Sequence, residues 1–172
     1  MSVTGDISNQ WSAAEPNVVV VTTGEFAVAE DPAWLLTPAL GSCVGVAVWD
    51  ATRRRGGLAH VMLPAPASAR VSGRAERFAS IAVPRLVQAV SNGAPARRLV
   101  AKIAGGSAMF GRESESETIG HRNVVEVRHQ LELLHVPLVA EDTGGTHART
   151  MELHPESGLV VVRSYRFGVK EL

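Results

Sequence analysis

The chain holds a single cysteine, Cys43, within Leu40-Gly41-Ser42-Cys43-Val44-Gly45-Val46, and a histidine, His60, within the apolar run Gly56-Gly57-Leu58-Ala59-His60-Val61-Met62. A thiol becomes a useful nucleophile as its thiolate, and an imidazole is the usual group that takes its proton. Cys43 and His60 are therefore the candidate nucleophile and base. Glycines on either side of Cys43 let the backbone turn sharply and let another strand come close. Each residue also has an inert reading, because free cysteine and lone strand histidines are often plain core residues. The simplest hairpin pairs 44–49 with 57–62 about a turn centred between Arg53 and Arg54. It sets His60 opposite Ala47 and leaves Cys43 four residues further along, about 13 Å away. A bulge, a shifted register or pairing between layers has to close that gap.

Other chemistry finds less support. Gly41-Ser42-Cys43-Val44-Gly45 has the look of a hydrolase nucleophile elbow, but that motif needs a strand before the nucleophile and a helix after it. Here Pro32 and Pro38 precede it and strand formers follow. Glu141-Asp142-Thr143-Gly144-Gly145 lacks the spaced carboxylates of a calcium loop and the lysine of a phosphate loop. It reads as a tight turn in which Asp142 bonds nearby amides. His121, His129, His135, His147 and His154 show no metal-ligand spacing and read as surface or structural. No metal and no cofactor is expected.

The bulk properties bound the rest. The chain has 172 residues, 45% of them hydrophobic, with 17 basic and 17 acidic side chains. That balance gives no electrostatic reason to expect nucleic acid or an anionic membrane surface. No apolar run approaches the length of a spanning helix, and Met1–Asp6 lacks the pattern of a secretory signal. One cysteine excludes an intrachain disulfide. A reducing cytoplasm is the expected setting.

The elements that must position Cys43 and His60 follow in order. Residues 1–16 read as a flexible leader and 17–172 as a single domain. Asn17–Thr23 reads as a buried strand, with a short one at 25–29. Pro32 and Pro38 bracket Trp34-Leu35-Leu36-Thr37, which predicts no long regular element there. Strands are expected at 44–49 and 58–63, joined by an arginine turn at 53–55 that is more a solvated turn than an anion patch. A helix is expected over 76–90 with a kink or restart at Pro84. A strand follows at 98–104, then a helix capped by Asn123 with Glu126 in a capping-box pattern and Val124, Val127, Leu131 and Leu134 inward. Met109 and Phe110 read as core plugs. A strand at 136–140 and a terminal hairpin at 151–154 and 159–163 complete about seven strands and two helices. Strands so often adjacent in sequence favour α+β over alternating βαβ.

Thr37 lies six residues before Cys43, and His60 seventeen after it. Thr37, Leu40-Gly41-Ser42-Cys43-Val44-Gly45-Val46 and Gly56-Gly57-Leu58-Ala59-His60 together resemble the chemoreceptor glutamine deamidase family, CheD. So do Lys102–Phe110, Ile119-Gly120-His121-Arg122-Asn123-Val124, Val136–Gly145 and Arg149-Thr150. The likeness runs from about residue 18 to residue 163 in order, and departs where Phe78 and Ser80 replace the family's usual Tyr and Asp. It implies a layered mixed fold of two packed sheets flanked by helices, shared with toxins that deamidate glutamine. It also implies a triad of Cys43, His60 and Thr37, with chemoreceptors as substrate and CheC-type phosphatases as a partner. On that reading Cys43 attacks a glutamine γ-carboxamide and His60 moves the proton. Backbone around Gly41, Ser42 and Val44 supplies the oxyanion donors. Thr37 either orients His60 or only caps a turn before Pro38. The alternative from another class is an interaction module that binds receptor helices or the phosphatase without turnover.

Overall fold

The computed structural model describes residues 17–95, 98–109 and 118–172; the leader at 1–16 and Phe110 lie outside the described residues. Among the described residues ten strands form two five-stranded sheets. One sheet runs β1 (Val18–Val20), β3 (Trp34–Leu40), β8 (Arg149–His154), β9 (Leu159–Ser164) and β10 (Gly168–Glu171). The other runs β2 (Phe26–Glu30), β5 (Arg55–Val61), β4 (Val44–Asp50), β6 (Leu99–Gly105) and β7 (Leu138–Thr143). Helices α1 (Ala79–Ser91) and α2 (Ile119–Leu133) cover the outer face of the second sheet. This is the expected α+β layered fold.

Strand β4 shows how period-2 alternation builds both cores. Val44, Val46 and Val48 face the helices and pack on Ala82, Leu86, Val127 and Leu131. Ala47 faces the other way, into a core between the sheets with Leu35, Leu40, Leu58, Met151 and Leu153. A strand buried on both faces has no polar side, which is why 44–49 reads as a continuous apolar run.

Several expectations are corrected. The run at 34–40 is a seven-residue strand despite Pro38, because the register shifts between Thr37 and Leu40 and the exposed proline sits in that bulge. A bulge leaves its extra residue outside the ladder, so the missing N–H costs nothing there. Only Val18–Val20 of the first run is strand, paired in parallel to β3 at an edge and half-buried to exposed. The first helix breaks before Phe78 rather than at Pro84, after a short 3-10 turn at Ala75–Arg77. Thr118, not Asn123, caps α2, its Oγ1 accepting from His121 N at 3.2 Å. Asp142 and Thr143 belong to β7, and Asp142 ion-pairs with Arg149 instead of closing a turn. Of the three arginines, Arg53 and Arg55 donate to Ser91 O and Ala89 O at the α1 C-terminus, where cations are favoured.

Candidate active site

The chain crosses from one sheet to the other between β1 and β2, between β2 and β3, between β3 and β4, and between β7 and β8. The β1–β2 and β3–β4 crossings meet where Thr37 and His60 do. The observed β4–β5 register pairs Gly45, not Ala47, with His60. The hairpin turn is thus centred one residue earlier than the simplest sequence reading, and Cys43 stands two residues from the position opposite His60 instead of four. That is a diagonal neighbour, whose Cα atoms in a regular pair lie about 7–8 Å apart. Cys43 O accepts from Gly106 N at 2.8 Å, so the β4–β6 ladder continues one step through Cys43. A Cβ on Gly105 would fall 2.2 Å from that carbonyl oxygen, which is why the position holds glycine at φ +107°.

Residues opposite one another on paired strands share a face, so His60 and the bare Cα of Gly45 both face the gap between the sheets. A Cβ at Gly45 would lie 2.7 Å from Met151 Sδ, 2.9 Å from Leu40 Cδ1 and 3.3 Å from Thr37 Cγ2. The missing side chain leaves room for Thr37, on the opposing sheet, to reach His60. Thr37 Oγ1 lies 2.8 Å from His60 Nδ1 and 2.7 Å from Val21 O. Thr37 is completely buried and His60 only 2% exposed.

Those two distances decide the tautomer. Val21 O can only accept, so the single hydroxyl proton of Thr37 goes there. His60 Nδ1 must then donate to Thr37 Oγ1, leaving Nε2 with a free lone pair. Thr23 Oγ1, on the first crossing, stands 3.3 Å from that Nε2 and donates to it. Burial lowers the His60 pKa from the ordinary 6.5 to about 4 and raises that of the half-buried Cys43 thiol. At neutral pH the resting pair is uncharged thiol and uncharged imidazole. His60 thus rests neutral, with Nε2 able to accept a proton, and is not half of a preformed ion pair.

The loop carrying Cys43 is held from behind. Gly41 O accepts from Ser107 N at 2.8 Å. Arg149, 3% exposed, donates to Ser107 Oγ at 2.7 Å and to Gly144 O at 2.9 Å, tying in the β7–β8 crossing. Asn123 Nδ2 donates to Ser42 O and Met62 O, each at 2.9 Å. Met109 is 39% exposed and lies over Gly41, so it lines the surface beside the Cys43 loop and is not a core plug. Sequence reading missed Thr23, absorbed into a predicted strand, and Asn123, taken as a cap. The signal for Asn123 was there: an asparagine on the apolar stripe of α2, four residues before Val127, has no reason to be polar unless it bonds something inside. Among the described residues no cluster of His, Cys, Asp and Glu could hold a metal ion.

Comparison with known proteins settles the family. The profile described as CheD chemotactic sensory transduction matches residues 62–164. A "Probable chemoreceptor glutamine deamidase CheD" of Moorella thermoacetica is 46% identical over 154 residues, covering 87% of this chain and 92% of that protein. This chain belongs to the CheD family. "Probable chemoreceptor glutamine deamidase CheD 2" of Geobacter metallireducens is 43% identical over 160 residues, covering 90% of this chain and 98% of that protein. A CheD of the same description from Haloarcula marismortui is 39% identical over 150 residues, covering 87% of this chain and 86% of its own length. The profile begins two residues past His60, whereas any unbroken span covering 87% of this chain takes in Thr37, Cys43 and His60. No helix among the described residues is long and apolar enough to cross a membrane.

Proposed function

We propose that this protein is a cysteine-dependent chemoreceptor glutamine deamidase acting in the cytoplasm, with Cys43 as nucleophile, His60 as base and acid, and Thr37 as the residue that orients His60. The observation that carries the reading is the Val21–Thr37–His60 chain, which puts the ring proton on Nδ1 and leaves Nε2 as the nitrogen able to take a proton. A core histidine that only filled space would need no fixed tautomer. The activity and substrate come from the names of the relatives.

Cys43 Sγ attacks the γ-carboxamide carbon as its proton passes to His60 Nε2, and an S–C bond forms. The imidazolium, stabilised through Thr37, returns the proton to the amide nitrogen, and ammonia leaves. A γ-glutamyl thioester remains. Water attacks it while giving a proton to His60, the thiol is re-formed, and glutamate stands where glutamine was. The oxyanion donors sit on the backbone around Gly41, Ser42 and Val44. Gly41 and Ser42 are held through their carbonyls, and Val44 is fixed in the ladder opposite Val61 and Gly105. Neither step calls for a metal or cofactor. A CheC-type phosphatase is the further partner this reading expects.

The test is mass spectrometry of a chemoreceptor cytoplasmic fragment incubated with the wild-type protein, Cys43→Ala and His60→Ala. Amide-to-acid mass gains at particular glutamines, made by the wild type alone, are the expected result. Tight binding without any gain would favour the interaction module instead.

A further inference from the structure

We infer that Asn123 of α2 is a positioning residue that aims the Cys43 N–H, making it the oxyanion donor; this rests on the covalent reading above. Asn123 is completely buried. Its Nδ2 donates to two carbonyls, Ser42 O immediately before the nucleophile and Met62 O two residues past the base. One side chain therefore sets the spacing between the two strands that carry Cys43 and His60. Two carbonyl acceptors also fix which way the amide faces, since the flipped amide would set oxygen against oxygen.

The consequence lies in the next peptide. In a trans peptide the C=O and the following N–H point in opposite directions. With Ser42 C=O drawn toward α2, the Cys43 N–H points away from the helix layer, to the side of the sheet that Gly45 and His60 face. Among the described residues no acceptor takes that N–H. The peptide after Cys43 is held as well, by Gly106 N on Cys43 O at 2.8 Å. Asn123 Oδ1, by contrast, is buried with no hydrogen-bond partner among the described residues. An apolar side chain on this stripe would avoid that desolvation cost, so the donors at Nδ2 must repay it, and what they hold is the nucleophile loop.

Two reagents separate this role from general support of the loop. p-Nitrophenyl acetate acylates a thiol through a tetrahedral oxyanion, the S–C bond forming as p-nitrophenolate leaves and the thiol proton passes to His60. Iodoacetamide alkylates the same thiol by direct displacement, with no oxyanion. In Asn123→Ala and the isosteric Asn123→Asp, acylation of Cys43 is expected to slow by about 100-fold, the usual effect of losing one such donor. Alkylation should keep its wild-type rate and pH profile. Equal slowing of both reactions, unchanged acylation, or a wild type that alkylates but never acylates would each overturn the inference. Should both variants fail to fold, the wild type still answers: on forming a hemithioacetal between Cys43 and propanal, the Cys43 amide proton should move downfield more than that of Val44, and an unmoved signal refutes the role. Neither probe needs a receptor, so a wild type that acylates yet leaves receptor glutamines unchanged defeats the deamidase reading alone.

Discussion

At one end of the sandwich the sheets are joined by bulk. Trp49 of β4 lies flat against Gly158 in the β8–β9 turn, where any Cβ would fall 2.4 Å from its ring, and Trp49 Nε1 donates to Pro155 O at 2.8 Å. Lys102 reaches across to Gly158 O and Leu172 O, both at 2.7 Å. At the other end, position 43 just before β4 and positions 45 and 47 within it are Cys, Gly and Ala, and what joins the sheets is a Thr–His hydrogen bond beside a bare Cα. Large side chains close the first end. Small ones keep the second open, and polar side chains bound to backbone carbonyls stop it from collapsing. A reactive thiol needs that second arrangement: space for a substrate amide, with its neighbours fixed before the substrate arrives.

The largest expected effect comes from removing the reacting groups. Cys43→Ala and His60→Ala should lose conversion of receptor glutamines below detection while retaining the wild-type far-UV circular dichroism. Filling the gap comes next. Gly45→Val places side-chain atoms among Met151, Leu40 and Thr37, and should lower kcat by about 100-fold and stability by about 1–3 kcal/mol, the usual cost of overpacking. Activity assays and urea melts read the two losses. Thr37→Val keeps the shape but takes the acceptor from His60 Nδ1. A buried donor left without a partner costs about 1–3 kcal/mol, and free choice of tautomer should slow turnover by about 10–100-fold. Thr37→Ser should restore most of both.

Acid should weaken the open end before the closed one. His60 is neutral in the folded protein down to about pH 4, but protonates at the ordinary 6.5 once unfolded. The unfolded chain therefore binds the extra proton between those values. The stability that depends on a neutral His60 is whole above pH 6.5 and is lost as pH falls toward 4, on the order of 3 kcal/mol in all. Denaturant melts of the wild type and His60→Gln across that window should diverge by this amount. Over the same window kcat/KM should show no loss centred at pH 6.5. The smallest effect on turnover belongs to the closed end: Lys102→Met should cost about 1–3 kcal/mol of stability and leave kcat unchanged.

The two ends also differ in how well the sequence announces them. Hydrophobic alternation and turn residues foretell β4, β5, the β8–β9 hairpin and the Val124–Val127–Leu131 stripe, because burial of apolar surface sets all of them. Residue type marks Cys43 and His60 as candidates, and Thr37 joins them only through the resemblance to CheD. How close they come is not legible, since the β4–β5 register depends on where a turn among exposed residues closes. Pro38 misleads for a related reason: its effect rests on a bulge that exists only because β3 must leave one sheet while the chain passes to the other. Ser107 and Arg149 stay hidden, and Asn123 shows only that it must bond something inside and not what, because most of their partners are backbone carbonyls from distant segments, and a carbonyl leaves no mark on sequence. Thr23 is hidden more simply, as one more β-branched residue after a run of valines.

The measurement that goes most directly to the central claim is trapping of the covalent intermediate. Wild-type protein is mixed with a receptor-derived glutamine peptide, quenched in acid within a turnover, and examined by intact and fragment mass spectrometry. The account predicts an adduct equal to protein plus peptide less ammonia, located on Cys43, that disappears as glutamate product accumulates and never forms with Cys43→Ala. Glutamate formed at the wild-type rate by Cys43→Ala, with no adduct at any time point, would contradict it.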